Sequence, residues 1–172
     1  MRAGGDQQGN GHLSVRRAGP QDWAALRQAR LTALADSPAA FGSTLEHERG
    51  LSDDEWRRRA QTTVWFLAWR DGEPAGLVAG FPVHGEPGEW HLVSMWASPE
   101  VRGRGVARRL VTALAAEVRQ AGAERLTLWV ADGNGRALAF YLRCGFRPSG
   151  RRQTYQRPDG SAFGEQELML RW

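Results

Sequence analysis

Residues 93–107, Val-Ser-Met-Trp-Ala-Ser-Pro-Glu-Val-Arg-Gly-Arg-Gly-Val-Ala, constrain the fold more than any other stretch, because an apolar strand passes there through a glycine loop into a long amphipathic helix. Gly103 and Gly105 clear side chains from the backbone where the helix begins. Unpaired N–H groups and the positive end of the helix dipole therefore face an incoming anion, and a pyrophosphate fits such a cradle. The helix itself is written in the apolar stripe: Val106, Leu110, Leu114 and Val118 recur every fourth residue, Val111 and Ala115 widen the face, and Gly122 stands where a C-terminal cap is expected.

Two familiar nucleotide loops fail on these residues. An ATPase loop needs Gly-Lys-Ser/Thr so that a lysine reaches the outer phosphates, and the chain has no lysine. A dinucleotide fingerprint needs a third glycine where Arg108 stands, and no acidic ribose partner follows about 20 residues on.

The remaining elements alternate. Leu13–Arg17 reads as a strand, Asp22 as the cap of a helix to about Ala35, and Pro38 as its end. Ser52 and Glu55 form a capping-box pattern that opens a helix over Asp53–Ala60. Val64–Trp69 and Ala75–Val83 are strands joined by the hairpin signal Asp71-Gly72, and Glu89–Ala97 follows as another. Beyond the long helix, alternation of Leu126, Leu128 and Val130 with Thr127 and Trp129 predicts a strand parallel to the one before the crossover. Asn134 caps a helix to Cys144 that stops at Gly145, and Phe146–Gln156 and Glu165–Trp172 make a last hairpin around Pro158-Asp159-Gly160. Residues 1–12, rich in Gly and Gln, read as a disordered leader without a signal-peptide core, and 13–172 as a single domain.

Arg102-Gly-Arg-Gly-Val-Ala107 matches the pattern Arg/Gln-x-x-Gly-x-Gly/Ala and resembles the coenzyme A loop of the GNAT superfamily of N-acyltransferases. Asn134-Gly-Arg-Ala-Leu-Ala-Phe-Tyr141 followed by Gly145-Phe146 is similar to a second motif of that family, in the correct order. The resemblance covers essentially everything after residue 12. It implies an α/β fold of the α+β sandwich kind: a mixed, mostly antiparallel sheet of about seven strands, a parallel pair splayed at the acyl-CoA site, and four main helices.

The same resemblance implies acetyl-CoA as co-substrate and an N-acetyltransferase acting on a small amine, amino acid, antibiotic or peptide N-terminus. The main chain of Met95, Trp96 and Ala97 would hold the pantetheine arm, and the amides of Arg102, Gly103, Arg104, Gly105, Val106, Ala107 and Arg108 the pyrophosphate. Asn134 would also contact pantetheine. Tyr141 would be the acid for the departing thiolate, although an apolar helix face suits it equally as a core aromatic, and a backbone amide near Met95 or Trp96 would steady the oxyanion. The glutamate that serves histone-type members as base falls on His91, which can do that work near neutral pH. Glu46, Glu48, Glu89 and Asp132 are further candidates for the base. Ser37–Leu51 resembles the family's variable acceptor wall, with Phe41, Glu46 and Glu48 as the residues facing a cationic amine.

Deprotonating a lysine-like amine of pKa about 10.4 at pH 7 costs roughly 4.6 kcal/mol, against roughly 1.4 kcal/mol for an α-amino group near pKa 8. A single histidine base therefore favours the second kind of acceptor. Other readings are a protein acetyltransferase and an acyl-CoA sensor without turnover. A nucleic-acid module is disfavoured: all 23 basic residues are arginine, yet the net charge is only +4 and the arginines are dispersed. His12, His47 and His84 show no metal-ligand spacing with one another or with Cys144, so no metal is expected. Cys144 is the only cysteine, which rules out an internal disulfide and fits a reducing cytoplasm, and no apolar run approaches the roughly 20 residues of a membrane span. A homodimer is compatible with the resemblance, the last hairpin ending on the apolar Trp172.

Overall fold

In β2 (Val64–Arg70) and β3 (Glu73–Pro82) successive side chains enter two different cores, as a strand buried on both faces requires. Trp65, Leu67, Leu77 and Ala79 pack with Leu26, Leu34 and Trp56, whereas Phe66, Ala68 and Val78 pack with Leu110, Leu114 and Val118. The computed structural model describes residues 12–157 and 160–172. The expected leader, apart from His12, and Pro158 and Asp159 of the last turn lie outside the described residues.

The first core belongs to α1 (Trp23–Asp36) and α3 (Asp53–Thr62), the second to α4 (Val106–Gln120) and α5 (Gly135–Arg143). Between them runs one seven-stranded sheet in the order β1-β2-β3-β4-β5-β7-β6, with β1 at Leu13–Arg17, β4 at Glu89–Ala97, β5 at Arg125–Ala131, β6 at Arg147–Gln156 and β7 at Ala162–Arg171. Every neighbouring pair is antiparallel except β4 and β5. The mixed sheet, its parallel pair and the flanking helices are those expected.

Local chemistry accounts for the boundaries. The β2–β3 turn places Asp71 at φ 51° and Gly72 at φ 89°, the two positive angles that a tight hairpin turn needs. At the start of α3, Ser52 Oγ accepts from Glu55 N at 3.3 Å and Glu55 Oε2 accepts from Ser52 N at 2.8 Å, closing a capping box. Close packing of α4 depends on β3 glycines: a Cβ on Gly80 would lie 2.9 Å from Leu114 Cδ1, and one on Gly76 3.2 Å from Leu110 Cδ1.

Three expectations are corrected. Asp22 does not cap α1 with its side chain; its carboxylate accepts instead from Arg16 at 2.8 and 2.9 Å and from Gly19 N at 2.8 Å, the ion pair outcompeting the cap. A short helix, α2 (Leu45–Arg49), lies in the Ser37–Leu51 segment, where no helix was expected; it is held by Thr44, whose hydroxyl accepts from His47 N at 3.2 Å, and is too short to show a period in sequence. Finally, β7 starts at Ala162, three residues before Glu165, because Ala162 pairs with Gln156. Among the described residues no helix is long and apolar enough to cross a membrane.

Candidate active site

The parallel ladder of β4 and β5 ends almost as soon as it begins. Glu89, Trp90 and His91 pair with Arg125, Leu126 and Thr127, and beyond that rung the strands part, β5 continuing against β7 alone. On its other side β4 carries a bulge: Leu77 faces Trp96 and Ala79 faces Val93, so three steps on β4 oppose two on β3. The extra residue leaves a peptide outside the ladder. Ser94 sits there at φ 59°, a left-handed conformation that costs a non-glycine residue about 1–2 kcal/mol. A strained bulge at the mouth of a split sheet leaves backbone donors free for a ligand.

A cavity of about 680 Å³ opens beside this split. Met95, Trp96 and Ala97 form one wall, the loop and first turn of α4 the floor, and Asn134, Ala137 and Tyr141 of α5 the opposite wall. Gly103 and Gly105 both have φ 77°, and a Cβ on either would meet nothing within 4 Å. Glycine is needed there for the backbone angle, and the space above stays open for an anionic group held by the amides that begin α4. The chain thus fits a pyrophosphate-bearing co-substrate.

Arg102 does not reach into that space with all its donors. Its Nε donates to the Ala97 carbonyl at 3.0 Å and its Nη2 to Asp36 Oδ2, which also accepts from Trp96 Nε1 at 2.9 Å. The Trp96 bond, followed by those from Ser37 and Arg102, holds the Asp36 carboxyl below its ordinary pKa. Asp36 so ties the loop to the end of α1. Arg104 is exposed and outside the cavity wall, while Arg108 lines it. Asn134 Oδ1 accepts from Ala137 N at 3.1 Å, so its carbonyl caps α5, while its amide nitrogen and second carbonyl lone pair are left for a ligand.

A second cavity, of about 520 Å³, lies on the other side of the split and is lined by His91, Val93, Ser94, Leu128 and Trp129, with Arg30, Gln153, Tyr155 and Glu165. Ala40, Phe41, Met95 and Tyr141 line both cavities and mark their junction. Tyr141 is 8% exposed and packs edge-on against Phe140 and Phe146 at centroid distances of 5.0 and 5.6 Å. Burial pushes its phenol well above the ordinary value, so it stays protonated and can donate. The core-aromatic and acid readings of this residue are therefore compatible in space.

His91 faces the second cavity with Nδ1 3.0 Å from Thr127 Oγ1. Burial lowers its pKa, against an opposing pull from Glu89, which keeps the ring neutral at pH 7. Phe41 is buried at the junction, but the two acidic residues assigned to the acceptor wall stand apart from it. Glu46 is exposed on α2 and lines neither cavity. Glu48 is 2% exposed, and its carboxylate accepts from Arg30 Nε and Nη2 at 2.8–3.2 Å and from Arg59 Nη1 at 3.1 Å. Burial alone would raise Glu48, but these guanidiniums hold it below its ordinary value. Its carboxylate anchors α2 to α1. Asp132 is paired with Arg152 at 2.6 Å.

Residues not anticipated in the second cavity come from sequence-distant elements. Tyr155 Oη donates to the Gly42 carbonyl at 3.2 Å across 113 residues, closing β6 over the segment after α1, and Glu165 Oε2 accepts from Gln153 Nε2 at 3.0 Å. Nothing in the local pattern of an exposed edge strand marks these side chains as cavity wall. Among the described residues no group of three or more His, Cys, Asp or Glu is arranged to hold a metal ion.

The family model described as "Acetyltransferase (GNAT) family" matches residues 26–146. The chain belongs to the GNAT acetyltransferase family. A mycothiol acetyltransferase of Thermobispora bispora is 34% identical over 134 residues, 72% of this chain and 41% of that protein. The chain spans less than half the length of the curated relatives it matches. An acetyltransferase of the GNAT family from Streptococcus pneumoniae superposes with a TM-score of 0.75 at 19% identity, covering 94% of this chain and 100% of that one. The yncA protein of Salmonella typhimurium, solved with its cofactor acetyl-CoA, gives 0.74 at 16% identity, with 93% of this GNAT chain and 94% of that one covered.

Proposed function

We propose that this chain is a cytoplasmic acetyl-CoA-dependent N-acetyltransferase that acetylates a primary amine of a small molecule, amino acid, antibiotic or peptide N-terminus by direct attack on the thioester. The observation that carries the reading is the meeting of two cavities at Tyr141 and Met95, in the gap where β4 and β5 separate. One cavity begins at the glycine loop and suits the coenzyme; the other, lined by His91 and Glu165, suits a cationic amine. The acetyl-CoA bound by the yncA protein supports the choice of co-substrate. The name of the curated relatives supports a small-molecule acceptor over a protein.

In this reading His91 Nε2 takes a proton from the attacking amine as the C–N bond forms. A backbone N–H at the Ser94 bulge donates to the carbonyl oxygen as it gains charge. Tyr141 gives its hydroxyl proton to the sulfur as the C–S bond breaks, so one proton is accepted and one delivered; the two residues return to their resting states by exchange with solvent. An acetyl group held by its main-chain contacts and an amine admitted from the opposite side are brought together without a covalent enzyme species.

The test is a calorimetric titration with acetyl-CoA, followed on the same preparation by free-thiol release over a panel of amines. Saturable binding with amine-dependent thiol release is the expected result. Binding with no release from any amine would point to the acyl-CoA sensor, and no binding would overturn the assignment of the glycine loop.

A further inference from the structure

The last rung of the parallel ladder joins His91 of β4 to Thr127 of β5, and Glu89 lies two residues before His91 on the same strand face. Two buried groups and the half-buried His91 therefore meet where the sheet begins to split. Thr127 is fully buried and its Oγ1 has three neighbours: His91 Nδ1 at 3.0 Å, Glu89 Oε1 at 3.1 Å and the Trp90 carbonyl oxygen at 3.3 Å. Glu89 is itself buried and accepts from Arg125 Nε through Oε2 at 2.7 Å.

A hydroxyl has one hydrogen to give. A carboxylate paired with a guanidinium only accepts, and so does a carbonyl, so the Thr127 hydrogen must serve one of those two oxygens. Were it turned toward His91, two buried oxygens would face Oγ1 with no hydrogen between them, in a place without solvent to compensate. The remaining site on Oγ1 is a lone pair, and His91 can meet it only by donating from Nδ1.

From this proton count we infer that Thr127 and Glu89 are positioning residues that hold neutral His91 as the Nδ1–H tautomer, leaving the lone pair of Nε2 for the amine in the second cavity. The inference rests on the transferase reading above. Free histidine in water carries its hydrogen mostly on Nε2, so the relay reverses the default and places the base at the only ring atom left for the substrate. When Nε2 takes a proton, the charge on the ring is met by Thr127 Oγ1, polarised by Glu89. The charged groups around the ring are Glu89, Arg125 and Glu86 at the end of the sheet and, in the cavity wall, Glu165 and the Glu48-paired Arg30. The apolar Phe81 ring covers it from β3 at 5.8 Å.

The test uses the full chain labelled with ¹⁵N-histidine, its ring nitrogens read by NMR at pH 8 and the His91 signals assigned by their loss in His91→Gln. The wild type should show Nδ1–H at His91, Thr127→Val should shift the ring toward Nε2–H, and Thr127→Ser should restore Nδ1–H. In amine-dependent thiol release, Thr127→Val should lose about 10- to 100-fold in kcat with the KM for acetyl-CoA unchanged, and serine should rescue it. An Nε2–H ring in the wild type overturns the inference and needs no variant that folds. So does a Thr127→Val enzyme with a flipped ring and full kcat. A wild type that carries Nδ1–H yet releases no thiol with any amine of the panel refutes the transferase reading itself, and with it the catalytic purpose of the relay, while the positional relay would stand.

Discussion

The two cavities that meet at Tyr141 are built by different means. The coenzyme side is made of backbone: a strand edge with a bulge at Ser94, two glycines at positive φ, and the first amides of α4. The acceptor side is made of side chains that reach one wall from α1, β4, β5, β6 and β7. A backbone site needs only the right φ and ψ, so it leaves most of its side chains free to vary, as Arg104 shows by standing outside the cavity. A side-chain wall has no such freedom, because each residue is held by partners far along the chain. In the proposed reading the first side sets the co-substrate and the second the acceptor.

The largest expected effect tests the junction itself. Tyr141→Phe keeps the ring and its edge-on packing but removes the proton, and should lower kcat by about 10²- to 10⁴-fold while calorimetry finds acetyl-CoA affinity within about twofold. An unchanged kcat would leave Tyr141 a core aromatic shared by two cavities. The pH dependence sharpens the same contrast. Burial lowers the His91 pKa below its ordinary 6.5, so as the proposed base it would be neutral throughout the neutral range, and activity should fall only as acidification passes that lowered value. The acid limb of kcat/KM should therefore lie below pH 6.5 and vanish in His91→Ala.

Glu48→Ala separates wall from anchor. It strands buried Arg30 without its carboxylate and should destabilise the fold by about 3–5 kcal/mol, measured by urea unfolding. A variant of normal stability that had lost only amine affinity would return Glu48 to the acceptor wall. Gly105→Ala is a smaller disturbance on the coenzyme side. A Cβ there meets no atom, so the cost is the left-handed φ alone, about 1–2 kcal/mol, seen as roughly a 10-fold rise in the KM for acetyl-CoA with kcat little changed. The smallest effect belongs to Arg104→Ala, for which the KM for acetyl-CoA should move by less than about twofold at moderate salt. A larger loss would mean that the phosphates are held by side chains after all, and the contrast between the two sides would fail.

How much of this was legible before folding follows the same division. The loop, the start of α4, the capping box at Ser52 and the hairpin turn at Asp71-Gly72 are local, and each is visible over a few residues. Asn134 at the head of α5 is equally legible as a cap, and its Oδ1 does accept from Ala137 N. The short helix α2 escaped because five residues show no period, and Asp22 misled because an arginine six residues away claimed its carboxylate. Glu48 was expected to face a cationic amine, yet Arg30, on the buried face of α1, draws it inside.

By itself the sequence determined the periods of the strands and helices, the positions that demand positive φ, and through them the anion cradle and the order of elements, since all of these are interactions between near neighbours. Tertiary structure alone decided where β4 leaves β5, which side chains line the second cavity, and that His91, Thr127 and Glu89 come together. Those choices depend on strands brought together across more than thirty residues, as the 36-residue separation of His91 and Thr127 illustrates. Such a pairing leaves no periodic trace in the chain because its energy comes from contacts that exist only once both strands have been placed in the sheet.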